Sequence, residues 1–172
     1  MQVFSRQGSD FQSFEQVRRD KKPIRVALNQ RGTMMALAGE ELLAAKGIPA
    51  KDIEAWGGKV HYVAYNEGLE MMKNKQVDLI VNLLAFPSGQ VASATREMPV
   101  QMVGLTPEVQ GALQKSLGMM PIEVPAKTYD FQPAAVPSAT ATVVLVANAS
   151  MSDEDAGKIV SAMLRNMDFL KQ

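Results

Sequence analysis

Cysteine is absent from this 172-residue chain, and histidine occurs once, as His61. The lack of cysteine excludes disulfides, thiolate zinc sites, iron–sulfur clusters and thiol catalysis. A single histidine also excludes a multi-histidine metal centre, and a Ser–His–Asp triad would have to use His61. The serine-containing turn FPSG at 86–89 lacks the GxSxG pattern of a nucleophile elbow. We therefore expect no metal, no cofactor and no catalytic residues.

An excess of charge is also absent, because 18 Lys and Arg residues balance 18 Asp and Glu residues. Nucleic-acid binding needs a clustered basic excess, so we expect no nucleic-acid partner. The longest apolar run, 139–147, is far too short to cross a bilayer, and we expect a protein that is not inserted in a membrane. Residues 1–11 lack the pattern of a secretory signal.

What the chain does contain is a regular alternation of strand and helix patterns. Strands are predicted at 24–28, 60–64, 77–84 and 100–105, and each leads through a short link to a helical pattern. Thr33 is a suitable cap for the first of these helices, and Gly118 is a suitable end for the last. The alternation predicts an α/β domain with a largely parallel sheet.

The two ends of the chain have a different sequence pattern. Residues 1–22 are predicted to be a polar lead-in with a short helix, and 23–148 to be the α/β lobe with a crossing strand. Within that lobe, the proline-rich segment 119–137 is predicted to be irregular and 138–148 to be a long strand. Residues 149–172 are predicted to form an amphipathic C-terminal helix.

The turn after the first predicted strand is the first candidate site. A strand that ends in a glycine-containing turn and leads into a helix leaves backbone N–H groups free, and the helix dipole adds positive potential. A carboxylate or phosphate is favoured there, and the guanidinium of Arg31 adds a full charge. The alternative is a plain turn with a capping threonine. The candidate residues are Asn29, Gln30, Arg31, Gly32 and Thr33.

Polar residues also follow the next two predicted strands. Asn82 interrupts an apolar run, and the segment after it lies where ligands bind in open α/β sheets. Tyr65 follows the second strand and is expected at the same edge. The alternatives are a hydrogen bond from Asn82 to a neighbouring loop and a core position for Phe86. The candidate residues are Tyr65, Asn82, Phe86, Pro87 and Ser88.

Longer segments carry a resemblance to a known family. They are IRVALNQRGTMMALAGEELLAAKGI, then VHYVAYNEGLEMMKNKQVDLIVNLLAFPSG, then MPIEVPAKTYDFQP, and finally VPSATATVVLVANASMSDEDAGKIVSAML. In their order and spacing, over roughly residues 12–170, they resemble the TAXI group of TRAP-transporter solute receptors.

The resemblance implies a type II periplasmic-binding-protein-like fold, in which two three-layer α/β lobes with helices on both faces close on a ligand. It implies a periplasmic or extracytoplasmic receptor, not an enzyme, that captures a small anionic or zwitterionic solute. The solute would be an organic acid or an amino-acid-like molecule, delivered to a TRAP-type membrane permease. Carried over by position, the implied contacts fall on Arg31, Gly32, Thr33, Asn82, Phe86, Pro87 and Tyr129.

The chain departs from the family pattern in three respects. Gln30 and Arg31 stand where the family has a glycine and a small serine, which favours a charged or acidic ligand, and Lys127 replaces a glycine. The family's first lobe would precede this sequence, so we expect a second lobe with the returning C-terminal segment. The C-terminal helix would pack on the first lobe, and two copies are expected to be able to pair through the surface left open.

Two other functions share this fold. One is the effector-binding domain of a LysR-like transcription regulator, which the lack of a signal sequence favours. The other is an enzyme, such as a deaminase or a prephenate-dehydratase-like protein, which lacks a convergent set of catalytic residues here.

Overall fold

The computed structural model describes residues 1–170 of the chain. The chain divides into two compact units, Met1–Ala141 and Thr142–Gln172. The first unit contains the strands and most of the helices, and the second contains a helical C-terminal segment. Each unit is described by itself below.

The first unit contains seven strands and six helices among the described residues. The strands are β1 (Gln2–Arg6), β2 (Arg25–Leu28), β3 (Lys59–Tyr62), β4 (Leu79–Asn82), β5 (Val100–Met102), β6 (Met120–Val124) and β7 (Val136–Thr140). The helices are α1 (Phe14–Asp20), α2 (Met34–Ala45), α3 (Ala50–Ala55), α4 (Tyr65–Lys73), α5 (Gly89–Thr95) and α6 (Pro107–Leu117).

The main sheet has five strands in the order β3-β2-β4-β1-β5. β2 is parallel to both β3 and β4, whereas β1 runs antiparallel to both of its neighbours, β4 and β5. The predicted α/β class with a mostly parallel sheet is therefore confirmed. The strand–helix–strand crossovers account for the parallel orientation of β2, β3 and β4 within one sheet.

Both faces of this sheet are covered by helices, as a three-layer lobe requires. Val26, Leu28 and Leu79 point to a core shared with α2, α3 and α6, whereas Ala27 and Ile80 point to a core shared with α4 and α5. Alternate residues of a strand face opposite sides of a sheet, and a strand buried on both sides is therefore apolar throughout. This is the reason that the predicted strand 77–84 is mostly apolar, with Asp78 and Asn82 as its polar residues.

The predicted ends of two helices are confirmed. The Thr33 hydroxyl accepts a hydrogen bond from the Ala36 amide at 3.1 Å and so caps the first turn of α2. Gly118 ends α6 with a φ of 65°, a left-handed conformation that a residue without a Cβ adopts at low cost.

The opening segment contains a strand that the sequence did not predict. Residues 1–22 include the predicted short helix, α1, which Ser13 caps, but β1 precedes that helix and lies inside the main sheet. The signal is weak because β1 has only five residues and buries polar side chains, Gln2 and Ser5, between apolar ones. Pattern reading misses a strand of this kind, since it neither alternates cleanly nor forms an apolar run.

The proline-rich segment is more regular than predicted, and the strand after it is shorter. β6 and β7 form an antiparallel two-stranded sheet, paired from Val124–Val136 to Met120–Thr140. The prediction of a strand over 138–148 is wrong beyond Thr140, because β6 offers no further residue for pairing. Residues 141–148 have no regular structure, and Val143 is 95% exposed.

The second unit contains α7 (Asp153–Arg165) and α8 (Met167–Leu170). Ser152 caps α7: the Asp155 amide donates to the Ser152 hydroxyl at 3.1 Å, and that hydroxyl donates to the Asp155 carboxylate at 2.8 Å. The apolar stripe of α7 lies exposed. In residues 1–170, every helix is too short or too polar to cross a bilayer.

Candidate ligand-binding site

The turns predicted to bind ligand lie at one edge of the main sheet. β2, β3 and β4 are parallel, so their carboxyl ends meet at the same edge. A hydrogen bond from the Asn29 side-chain amide to the Asn82 side-chain oxygen, 3.4 Å long, joins the turn after β2 to the end of β4. Ligands of open α/β sheets bind at this kind of edge.

Asn82 is buried at the end of β4 and organises the turn that follows. Its side-chain oxygen accepts from the Leu83 amide at 2.8 Å as well as from Asn29. The Asn29 side-chain oxygen in turn accepts from the Gln30 amide at 2.7 Å. The alternative interpretation of Asn82 was a hydrogen bond to a neighbouring loop, and the bond with Asn29 is of that kind. The same bonds fix the turn after β2 relative to the turn after β4.

Arg31 lies on the exposed side of this edge. Its guanidinium stacks on the Tyr62 ring, with 3.5 Å between the guanidinium carbon and the ring centroid. One guanidinium nitrogen lies 3.8 Å from a Glu40 carboxylate oxygen, and the Arg31 side chain is 70% exposed. The positive charge of Arg31 is therefore partly balanced by Glu40 and remains open to solvent. Gln30 and Gly32 are exposed beside it, and Gly32 has a φ of 81°.

Tyr62 and Glu40 form a supporting pair beneath Arg31. The Tyr62 hydroxyl donates to the Glu40 carboxylate at 2.6 Å. Burial of the phenol, followed by this bond to a carboxylate, raises the pKa of Tyr62 to about 12. Tyr62 therefore stays protonated at neutral pH and presents an aromatic face to the guanidinium.

Tyr65 is the first residue of α4, and its ring helps to line a narrow crevice between the ends of β2 and β4. The crevice is too narrow to hold a water molecule, and it is lined by Ala27, Leu28, Val63, Ala64, Tyr65, Gly68, Ile80, Val81 and Asn82. The Tyr65 hydroxyl is buried and has no hydrogen-bond partner in residues 1–170. Burial raises the pKa of Tyr65, which keeps the phenol neutral.

Phe86, Pro87 and Ser88 form the loop between β4 and α5. Ser88 caps α5, since its hydroxyl oxygen lies 3.5 Å from the Val91 amide that donates to it. Phe86 is half-buried and Pro87 is exposed, so both border the edge. The Phe86–Pro87 peptide bond is cis.

Tyr129 lies behind this loop rather than on its open side. It is only 4% exposed, and its hydroxyl accepts from the Ser88 amide at 3.0 Å. The same hydroxyl donates to the side-chain oxygen of Gln2 at 2.8 Å. Gln2 was not among the predicted residues, because a glutamine within an unrecognised strand gives no sequence signal. Lys127, in the preceding turn, has a φ of 61°, a conformation in which glycine is less strained.

The structure thus brings most of the predicted residues to one surface. The exposed or half-buried members are Asn29, Gln30, Arg31, Gly32, Thr33, Tyr65, Phe86, Pro87 and Ser88, with Asn82 buried at their centre and Tyr129 beneath the loop. Within residues 1–170, no group of three or more His, Asp or Glu side chains is placed to hold a metal ion.

The family comparison agrees with an α/β lobe of this kind. The model of the NMT1-like family matches residues 1–172. The chain belongs to the NMT1-like family. This family lies in the periplasmic-binding-protein-like superfamily and indicates a substrate-binding role with a small-molecule ligand. A comparison with curated proteins gives no match.

In the NMT1-like lobe, the N-termini of three helices lie at this edge of the sheet. α2, α4 and α5 each start directly after the turn that follows β2, β3 or β4. The first N–H groups of a helix lack partners within the helix, and the aligned peptide dipoles make that end positive. The positive ends of three helices therefore lie at this edge of the sheet.

Proposed function

We propose that this chain is the solute-binding component of a TRAP-type importer of the TAXI group. It captures a small organic acid or an amino-acid-like solute outside the cytoplasm and delivers it to a membrane permease. The observation that carries this proposal is the Asn29–Asn82 contact, which places the ends of β2 and β4 side by side. The family match and the motif order support the same role.

The chemistry of the edge favours a carboxylate ligand. Helix N-termini and side-chain amides donate hydrogen bonds, whereas Arg31 adds a solvent-exposed charge that Glu40 partly balances. A solute with one carboxylate and a second polar group matches this mixture of donors and acceptors. No reaction is part of the proposal: Asn82 fixes the turns after β2 and β4, and neither Asn82 nor the neutral phenol of Tyr65 is a nucleophile or a base at neutral pH.

Binding by this chain alone is expected to be weak. High affinity needs most of the ligand surface to be enclosed, and the crevice beside Tyr65 does not admit even a water molecule. A ligand on one wall stays in contact with water, where charge-assisted bonds lose most of their strength. We expect millimolar affinity, and submicromolar binding by a monomer in isothermal titration would contradict this expectation.

An NMR titration tests the proposal at this affinity. Succinate and L-glutamate, added to ¹⁵N-labelled protein at millimolar concentration, should shift the amide signals of residues 29–33, 64–67 and 83–89. Glucose serves as an uncharged control and should leave those signals in place. Shifts confined to other parts of the chain, or equal shifts with glucose, would refute ligand binding at this edge.

A variant of the buried amide sharpens the test. Asn82→Leu removes the acceptor for Asn29 and Leu83 while it retains the number and branching of the side-chain heavy atoms. It should reduce the succinate-induced shifts, because the turns after β2 and β4 lose their link. Gln101→Leu on β5, an exposed position away from this edge, is the matched control and should retain the shifts.

A further inference from the structure

A chain of buried hydrogen bonds supports the loop between β4 and α5 from below. The Gln2 side-chain amide donates to the Ala85 carbonyl at 3.0 Å. The Gln2 side-chain oxygen accepts from the Tyr129 hydroxyl at 2.8 Å, and that hydroxyl accepts from the Ser88 amide at 3.0 Å. The loop is thus held at two points, Ala85 and Ser88, by residues from two distant parts of the sequence.

The Tyr129 ring is fixed by other aromatic rings. It stacks on Phe131 with 5.4 Å between the ring centroids and meets Phe4 edge-to-face at 6.4 Å. Aromatic pairs in these geometries stabilise each other beyond the burial of their area. The hydroxyl of Tyr129 therefore has a fixed position, from which it can hold the loop.

The turn that carries Tyr129 is itself anchored. The side-chain amide of Gln132 donates to the carbonyls of Pro125 at 3.0 Å and Ala134 at 2.8 Å. The Lys127 amide donates to the Gln132 carbonyl at 2.9 Å. Because this turn is rigid, Tyr129 keeps its position and can restrain the loop between β4 and α5.

We propose that Gln2 and Tyr129 are positioning residues for the ligand-binding loop 84–88, and that Tyr129 is not a ligand contact. This inference rests on the proposed function, since it assigns the loop to a ligand site. A tyrosine hydroxyl has one donor, and Tyr129 uses it on Gln2. Burial separates the phenol from any solute at the open edge. The loop backbone faces the ligand, and the two side chains set the position of that backbone.

Amide hydrogen exchange of the unliganded protein tests directly whether Gln2 and Tyr129 restrain loop 84–88. Tyr129→Phe keeps both aromatic contacts and removes only the hydroxyl. It should accelerate exchange of the Ser88 amide and its loop neighbours about tenfold, the effect expected for loss of one hydrogen bond. Gln2→Met should also accelerate exchange of the loop amides, because Gln2 bonds to the Ala85 carbonyl and to the Tyr129 hydroxyl. The double variant should add little, because both residues belong to one chain of bonds.

Tyr62→Phe is the matched control for this exchange measurement. It also removes one tyrosine hydroxyl with a short side-chain partner, Glu40, but it lies away from loop 84–88. Its loop exchange should equal that of the parent protein. Unchanged exchange at Ser88 in Tyr129→Phe would overturn the proposal, and so would equal acceleration over α2 and α6, which would indicate general loosening of the core.

The succinate and L-glutamate titration separates this proposal from the proposed function. Selective loop acceleration together with reduced probe shifts in Tyr129→Phe and Gln2→Met would support positioning. Loop acceleration with parental probe affinity in both variants would overturn it and leave the proposed function intact. If neither probe shifts the edge amides of the parent protein, the proposed function fails, and with it the assignment of loop 84–88 to a ligand.

Discussion

Replacing Asp78 with asparagine is expected to lower the free energy of unfolding by about 2 kcal/mol, less than the loss of one partner from a fully buried ion pair, because the Arg25 side chain is 41% exposed. The Asp78 carboxylate is 4% exposed and lies at the start of β4. It accepts from the Arg25 guanidinium at 2.8 and 3.0 Å, from the Arg25 amide at 3.0 Å and from Arg6 at 3.2 Å. Asparagine would leave two guanidinium groups without their anion.

The same carboxylate should make stability depend on pH in the acid range. Burial opposes its ionisation, but the hydrogen bonds from the Arg25 side chain and amide, with the charge of Arg25, hold the pKa of Asp78 below its ordinary value. A lowered pKa in the folded state stabilises the protein above the unfolded pKa of about 4, and this stabilisation is lost as the pH falls through the folded value.

Urea unfolding at pH 7 and pH 3 measures both effects. The parent protein should lose stability between these pH values, and Asp78→Asn should be weaker at pH 7 and show less further loss at pH 3. Asp20→Asn is the matched control, because Asp20 pairs with Arg19 on the open surface and such pairs contribute little. Equal stabilities of parent and Asp78→Asn at pH 7 would contradict the structural role of this pair.

Phe4→Ala is expected to destabilise the first unit by about 4 kcal/mol, as truncation of a fully buried phenylalanine does. Phe4 is 2% exposed at the centre of β1, and its ring contacts Tyr129 and Phe131 edge-to-face. The substitution leaves a cavity on the side of the sheet that supports loop 84–88, so the loop should loosen together with the core.

The control for this substitution is Phe169→Ala in the second unit, where the side chain is 75% exposed. Thermal unfolding should show a large fall in midpoint for Phe4→Ala and almost none for Phe169→Ala. A small effect of Phe4→Ala would mean that β1 contributes little to the sheet, contrary to its position between β4 and β5.

The parallel strands could be predicted because a strand that is buried on both faces has a mostly apolar sequence. Residues 77–84 are mostly apolar, with Asp78 and Asn82 as the polar residues, since β4 is covered by helices on both sides. Thr33 and Gly118 mark helix ends through local backbone chemistry. β1 could not be predicted, because its place in the sheet depends on pairing with strands far along the chain. The run after Thr140 shows the converse: β-branched residues alone do not form a strand without a partner.

In the candidate site, too, features set by local sequence could be predicted, and features set by side-chain packing could not. Asn29 and Asn82 were predictable as neighbours, because parallel strands end at one edge and both residues follow such strands. The stacking of Arg31 on Tyr62 and the buried contact of Tyr129 with Gln2 were not, since they depend on which way side chains turn. Sequence position placed Tyr129 near the ligand, and packing placed it behind the loop.

The insertion of β1 between β4 and β5 also bears on how the molecule is made. Gln2 pairs with Asn82, and Phe4 pairs with Met102, so the centre of the sheet closes only between segments far apart in sequence. Long-range pairing of this kind slows folding, because a long loop must close before its contacts repay the lost entropy. On the ribosome, β1 must wait for β4 and β5, which are synthesised after it, and during that interval its apolar residues Val3 and Phe4 are a target for chaperones.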